Sequence, residues 1–133
     1  TEPVLDAVVF QMTDLLAQGG YGPALLKLRQ LLQMQHDPIA ILGAMGKHIR
    51  QLGAARMLFD NGKNTSDLMK ICGMTDYAAK KIMNAASRFS AEFCCKATEL
   101  VMETDYAMKT SYDAPERLLE ILVLRFAQEA KHG

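Results

Sequence analysis

The sequence predicts an all-α fold, a single compact bundle of about seven helices, on three observations. Apolar residues recur at spacings of three and four along nearly the whole chain. Proline, glycine and short polar residues fall between those runs, where helices start and stop. No stretch offers convincing strand alternation. With 133 residues, the chain has the length of one domain and can bury about two-thirds of its unfolded surface.

Taken in order, Pro3 lies near the start of a first helix and Gly19-Gly20 stop it just beyond Gln18, with Val8, Met12, Leu15 and Leu16 at helical spacing. Pro23 opens a second, in which Leu25, Leu28 and Leu32, flanked by Leu31, face away from Lys27 and Gln30. Asp37-Pro38 is an N-cap and first-turn pair that starts a long third helix, ended by Asn61-Gly62. This helix carries Gly43, Gly46 and Gly53, each costing roughly 1 kcal/mol relative to alanine. Gly46 and Gly53 are seven residues apart, on nearly the same face as Leu42 and Ile49, which predicts the close approach of another helix there.

A fourth helix, capped by Thr65 or Ser66, carries Leu68, Met69 and Cys72. It turns at Gly73, and Met74 and Thr75 lead into a fifth helix ending near Arg88. The sixth starts at Ser90. Its core stripe is Phe93, Ala97, Leu100, Val101, Ala107 and Met108, beside Glu92, Lys96, Glu99 and Glu103. Nearly opposite runs a thinner apolar stripe of Cys95, Met102 and Tyr106, flanked by Asp105 and Lys109. The seventh, from Ala114 to about Lys131, is apolar around most of its circumference through Leu118, Leu119, Ile121, Leu122, Val123, Phe126 and Ala127, and is expected to be central. Leu124 falls in its polar stripe, between Arg117, Glu120, Gln128 and Lys131. A lone exposed leucine is common; the sharper reading joins Leu124 with Cys95, Met102 and Tyr106 in a contact with another subunit.

Composition narrows the function classes. The chain is 50% hydrophobic and 23% charged, an ordinary globular balance, and its formal net charge is zero. No global field therefore draws it onto nucleic acid or an anionic membrane. The balance hides an asymmetry: residues 47 to 96 hold nine Lys and Arg against four Asp and Glu, a surplus of five, and the flanks are acidic. No window reaches the roughly 18 apolar residues of a membrane span, and no signal peptide opens the chain. It begins Thr-Glu-Pro without an initiator Met and runs almost at once into a helical pattern, so we expect a fragment of a longer polypeptide. Three cysteines, with Cys94 and Cys95 adjacent, form no disulfide framework or paired zinc spacing and fit reduced thiols in the cytoplasm.

A search for chemistry finds no catalytic, cofactor-binding or metal site. His36, His48 and His132 are scattered, with no HExxH or i,i+4 pairing. Cys94 and Cys95 could act as nucleophiles only beside a base that the sequence does not place. There is no phosphate loop and no GxGxxG fingerprint. Asp105 and Lys109, one turn apart, read as a surface ion pair worth a few tenths of a kcal/mol.

Two non-enzymatic readings remain. Ser66 to Ala86 has the form of a helix-turn-helix, whose recognition helix, Tyr77 to Arg88, would offer Tyr77, Lys80, Lys81, Asn84 and Arg88 to DNA. Such short patterns recur in helical proteins that bind no DNA, and no wing or dimerisation segment follows. The other reading rests on order along the chain: LLAQGGYGPALLKLRQLLQ, then IRQLGAARML with Arg50, Leu52 and Leu58, then MKICGMTDYAAKKIMNAASRFS, then D-x-x-x-K in TDYAMKTSYDAPERLLEIL. In that order the segments resemble the carboxy-terminal collar domain of the delta subunit of the bacterial DNA polymerase III clamp loader.

The resemblance covers almost the whole chain. It implies one helical collar, or oligomerisation, domain over residues 1–133, from the carboxy-terminal part of a longer subunit. The implied role is non-catalytic. The domain packs against the collar domains of other loader subunits so that the assembly can load the sliding clamp, and the holoenzyme's DNA-directed DNA polymerase activity is carried by other subunits. No cofactor, membrane or small-molecule substrate is expected, and DNA is met only indirectly or weakly. Cys95, Met102, Tyr106 and Leu124 are the candidate subunit interface; Lys80, Lys81 and Arg88 are the candidate DNA contacts of the alternative reading.

Overall fold

In a computed structural model the described residues are 2–132, with side chains described from Val4 to Lys131. They form seven helices and no strand: α1 (Glu2–Ala17), α2 (Tyr21–Gln33), α3 (Pro38–Asp60), α4 (Thr65–Cys72), α5 (Asp76–Ala86), α6 (Ala91–Thr110) and α7 (Pro115–His132).

The α1–α2 corner needs both of its glycines. Gly19 has a φ of +83°, and a Cβ on Gly20 would stand 3.1 Å from the Leu15 carbonyl oxygen. The Gly20 N–H donates to that carbonyl at 2.8 Å and the Gly19 N–H to the Leu16 carbonyl at 3.0 Å, so the end of α1 is satisfied by backbone alone. The second helix starts at Tyr21, ahead of Pro23. Proline is tolerated in a first turn because the N–H it lacks has no intrahelical partner there.

The third helix is the spine. It packs against α1, α4, α5, α6 and α7, and Ile41, Leu42, Met45, Ile49 and Leu52 are buried along it. Asp37 caps it, its Oδ1 accepting from the Ile39 N–H at 2.9 Å, with Pro38 in the first turn. The expected close approach is by α6: a Cβ on Gly46 would stand 3.2 Å from Val101 Cγ1, and one on Gly53 would stand 3.7 Å from Cys94 Cβ. Gly43 faces open space.

The corner between α4 and α5 forms where expected, with Gly73 left-handed at φ +64° and its N–H donating to the Met69 carbonyl at 2.8 Å. The cap of α4 is Asn64, however, and not Thr65 or Ser66. The Asn64 side chain accepts from the Asp67 N–H, and the Asp67 carboxylate accepts in return from the Asn64 N–H at 3.0 Å. That reciprocal box satisfies two donors at once, which a hydroxyl one or two residues later, with Leu68 or Met69 three residues beyond it, cannot do. Thr75 caps α5 and Ser90 caps α6. Between them Arg56, reaching from α3, lies 3.4 Å from the Ala86 and Phe89 carbonyls while its guanidinium holds Asp60 at 2.6 Å. The carbonyls left over where α5 ends thus gain a donor.

The core closes on aromatic rings. Phe89 stacks on Phe93 at 4.6 Å between centroids, and Phe93 meets Phe126 of α7 edge-on at 6.3 Å. As expected of a central helix, α7 touches α1, α2, α3 and α6. It buries Leu119, Leu122, Val123 and Phe126, but Ile121 is exposed and Leu118 only half-buried. Its apolar circumference is wider than the surface its neighbours cover.

The three glycines of α3 should therefore separate by site. Gly43→Ala should stabilise the domain by about 0.5–1 kcal/mol, because it gains helix propensity and meets nothing. Gly46→Leu should destabilise it by roughly 1–3 kcal/mol through overpacking against Val101. Urea unfolding of the two variants, with unchanged m-values, checks the difference in sign.

Candidate functional site

Two surfaces carry the exposed side chains of interest. The first is the outer face of α6 and α7. Cys95, Met102 and Tyr106 follow one another on α6 at intervals of seven and four residues, with Met102 66% and Tyr106 70% exposed. On α7, Leu124 is 39% exposed and Ile121, one turn before it, is 41% exposed. Arg125 reaches Glu103 at 3.3 Å, which ties the two helices together at the level of Leu124 and Met102. Asp105 and Lys109 form the expected exposed ion pair at 2.9 Å.

The four candidate interface residues do not line a single cavity. Cys95 lies on the α3 side of α6, in a shallow groove of about 250 Å³ shared with Gly53, Ala54, Met57, Ala91 and Thr98. Met57, 65% exposed, was not singled out from the sequence. It lies four residues beyond Gly53 and so extends the Gly46–Gly53 face, a spacing that could have found it. The adjacent cysteines part company: Cys95 is exposed, whereas Cys94 is buried. Burial pushes the Cys94 thiol up to about 11, its neighbour Cys95 adds to the rise, and Arg56 opposes it.

The second surface is formed by α5 with α1. The corner of a helix-turn-helix is present, and two of the three candidate DNA-contact cations are ion-paired within the chain. Lys80 is paired with Asp76 at 2.9 Å and Arg88 with Asp14 of α1 at 2.9 Å. The Lys81 ammonium lies over the Phe10 ring at 4.5 Å and the Tyr77 ring at 5.6 Å. Tyr77 and Asn84 are exposed.

Between α1, α3 and α5 lies a cleft of about 260 Å³ bordered by Asp6, Phe10, Lys47, His48, Tyr77 and Lys81, among others. His48 is buried in its floor. Its Nε2 stands 2.7 Å from Thr13 Oγ1, and that hydroxyl donates to the Phe10 carbonyl at 2.9 Å. With the hydroxyl proton so engaged, Nε2 carries the imidazole proton and donates to Thr13, a tautomer assigned from the network. Burial lowers the His48 pKa to about 4; Asp6 opposes the shift, and Lys47 and Lys81 reinforce it. His36 is half-buried elsewhere, beside Ala40 and Gly43, and the His132 side chain lies outside the described residues. Among the described residues no three His, Cys, Asp or Glu side chains form a metal-binding group, and no helix is long and apolar enough to cross a membrane. The Thr13–His48 link joins residues 35 positions apart, beyond the reach of sequence periodicity.

Comparison with known proteins agrees with this architecture. A sequence model of the DNA polymerase III delta subunit, C-terminal domain, matches residues 6–126. The fold is similar to that of a solved Bacillus subtilis structure, the DNA clamp loader delta protein YqeN, with a TM-score of 0.87 and 21% identity. The match covers 93% of this chain and 37% of that one, so this chain spans well under half the length of that protein. No curated protein matches the sequence.

Two measurements test the local chemistry. His48 titrates near 6.5 unfolded and near 4 folded, so the unfolded state binds more protons between those values. Stability should be full above about pH 6.5 and fall by on the order of 3 kcal/mol by pH 4. Denaturant titrations across that window should show the slope, and His48→Leu should remove most of it. Iodoacetamide on the folded chain should label Cys95 at least about tenfold faster than Cys94, read by peptide mass mapping.

Proposed function

The chain belongs to the family defined by the C-terminal domain of the DNA polymerase III delta subunit, and from that premise we propose that it is a non-catalytic assembly domain of a clamp loader. In this reading its outer α6–α7 face packs against other loader subunits. The observation that carries it is the surplus of exposed apolar side chains there, with Met102 66%, Tyr106 70% and Leu124 39% exposed, on helices whose opposite faces already fill the core. Covering a side chain of this size contributes roughly 1.5–3 kcal/mol when burial is complete. A few such residues supply the apolar centre of an interface, and Glu103, Arg125, Asp105 and Lys109 supply a charged rim.

Two further observations favour association over other roles. The hydroxyl–imidazole pair of Thr13 and His48 is buried with the hydroxyl donating to the Phe10 carbonyl, and the thiol at Cys94 is buried and raised in pKa. Of the α5 cations that a DNA-reading domain would use, Lys80 and Arg88 are ion-paired within the chain, and Lys81 rests on aromatic rings. The partners in this reading are other clamp-loader subunits, met through equivalent helical domains, and DNA is met indirectly or weakly.

Met102→Asp and Leu124→Asp should each weaken binding to the partner loader subunits by at least about tenfold, since each places a charge at an apolar contact. Both positions are solvent-exposed in the isolated chain, so far-ultraviolet circular dichroism should stay unchanged. Wild-type affinity in both variants removes these residues from the interface. A salt-dependent affinity for duplex DNA that falls with Lys80→Ala, Lys81→Ala and Arg88→Ala would instead support the helix-turn-helix reading.

A further inference from the structure

The cleft between α1, α3 and α5 is not used by the assembly reading, and it lies on different elements from the α6–α7 face. Its charges are compensated in pairs with one exception. Lys47 is held by Asp6 at 2.7 Å, Arg88 by Asp14 at 2.9 Å and, on the outer side of α5, Lys80 by Asp76 at 2.9 Å. Among the described residues no carboxylate lies within 4 Å of the Lys81 ammonium, which rests instead on the faces of Phe10 and Tyr77. The ring faces hold it weakly at an exposed site and leave its hydrogen-bond donors free.

The shape of the depression is as informative as its charge. The cleft shares Phe10 and Lys81 with a recess of about 130 Å³ that runs on to Asp14, Asn84 and Arg88. At its other end it shares Asp6, Ala44 and Lys47 with a wider depression of about 520 Å³ beside Leu5, His36 and Gly43. On α1 the shared and bordering residues Asp6, Phe10 and Asp14 are four apart, so the depression is a trough that follows that helix. A trough of this form suits a chain segment better than a compact small molecule. Its middle is apolar, with Phe10, Met74 and Ala78 half-buried along it.

We propose that this trough docks a peptide segment of a partner protein bearing a single carboxylate, which meets the Lys81 ammonium while a neighbouring apolar side chain rests on Phe10, Met74 and Ala78. The charge count selects this occupant over nucleic acid. A phosphodiester chain brings a negative charge at every nucleotide and would run against Asp6 and Asp14, whereas a single carboxylate matches the one cation left without a counter-ion.

The test uses the whole 133-residue chain, labelled with ¹⁵N, and two probes that differ only in charge: N-acetylphenylalanine and its neutral amide. The acid should shift the backbone amides of Phe10, Gln51 and Tyr77 at millimolar concentration, with the neutral amide at least about fivefold weaker. Lys81→Met should abolish that preference, whereas Lys80→Met should preserve it. Equal binding of acid and amide, the absence of shifts in the trough, or shifts only on α6 and α7 would overturn the proposal. So would an oligothymidylate that produces the same shifts more tightly than the acid, because the occupant would then be nucleic acid. The α6–α7 assembly reading is untouched by any of these outcomes, since its own test reads different residues.

Discussion

The bundle depends on the close approach of α6 to α3, made possible where Gly46 and Gly53 remove side chains from one face of the longest helix. At Gly46 the space between the helices is already filled by Val101, so that even a methyl group would stand 3.2 Å from it. Because α3 also packs against α1, α4, α5 and α7, displacing α6 would disturb the surface on which the other helices are arranged. The cost of the two glycines, roughly 1 kcal/mol each in helix propensity, is offset by the contact they permit. Seating α6 there also decides which of its faces is left outside, and that face carries Met102 and Tyr106.

Polar interactions do the finer positioning. Arg56 spans from α3 to the carbonyls of Ala86 and Phe89 where the chain turns from α5 into α6. His48 and Thr13 join α3 to α1 inside the core, the two buried polar side chains there satisfying one another. A buried imidazole kept neutral in this way holds two helices in register, and its cost appears only when acid forces a proton onto it.

The charge pattern along the chain gives a misleading impression until it is folded. Residues 47 to 96 carry a surplus of five positive charges, which read linearly suggests a basic surface. Folding brings the acidic first helix alongside: Asp6 meets Lys47 across 41 residues and Asp14 meets Arg88 across 74. Along the trough this leaves Lys81 as the cation with no carboxylate within 4 Å among the described residues.

Much of this was legible locally. The cap at Asp37, the entries into α5 at Thr75 and α6 at Ser90, the left-handed turn at Gly73, the core stripe of α6 and the glycine face of α3 are consequences of near-neighbour sterics and helical periodicity, which act over a few residues and so are written in order along the chain. The exceptions show where that reach ends. The cap at Asn64 depends on a reciprocal bond with Asp67 that competed with two equally plausible hydroxyls. The exposure of Ile121 and Met57 depends on which neighbours arrive to cover a helix, and periodicity shows only that a face is apolar. Sequence by itself therefore determined the helices, most of their ends and the class of fold. Tertiary structure alone decided which apolar side chains stay in water, which charges find partners and where a cleft opens, because burial, ion pairing and concavity are set by groups distant in the chain and meet only when it folds.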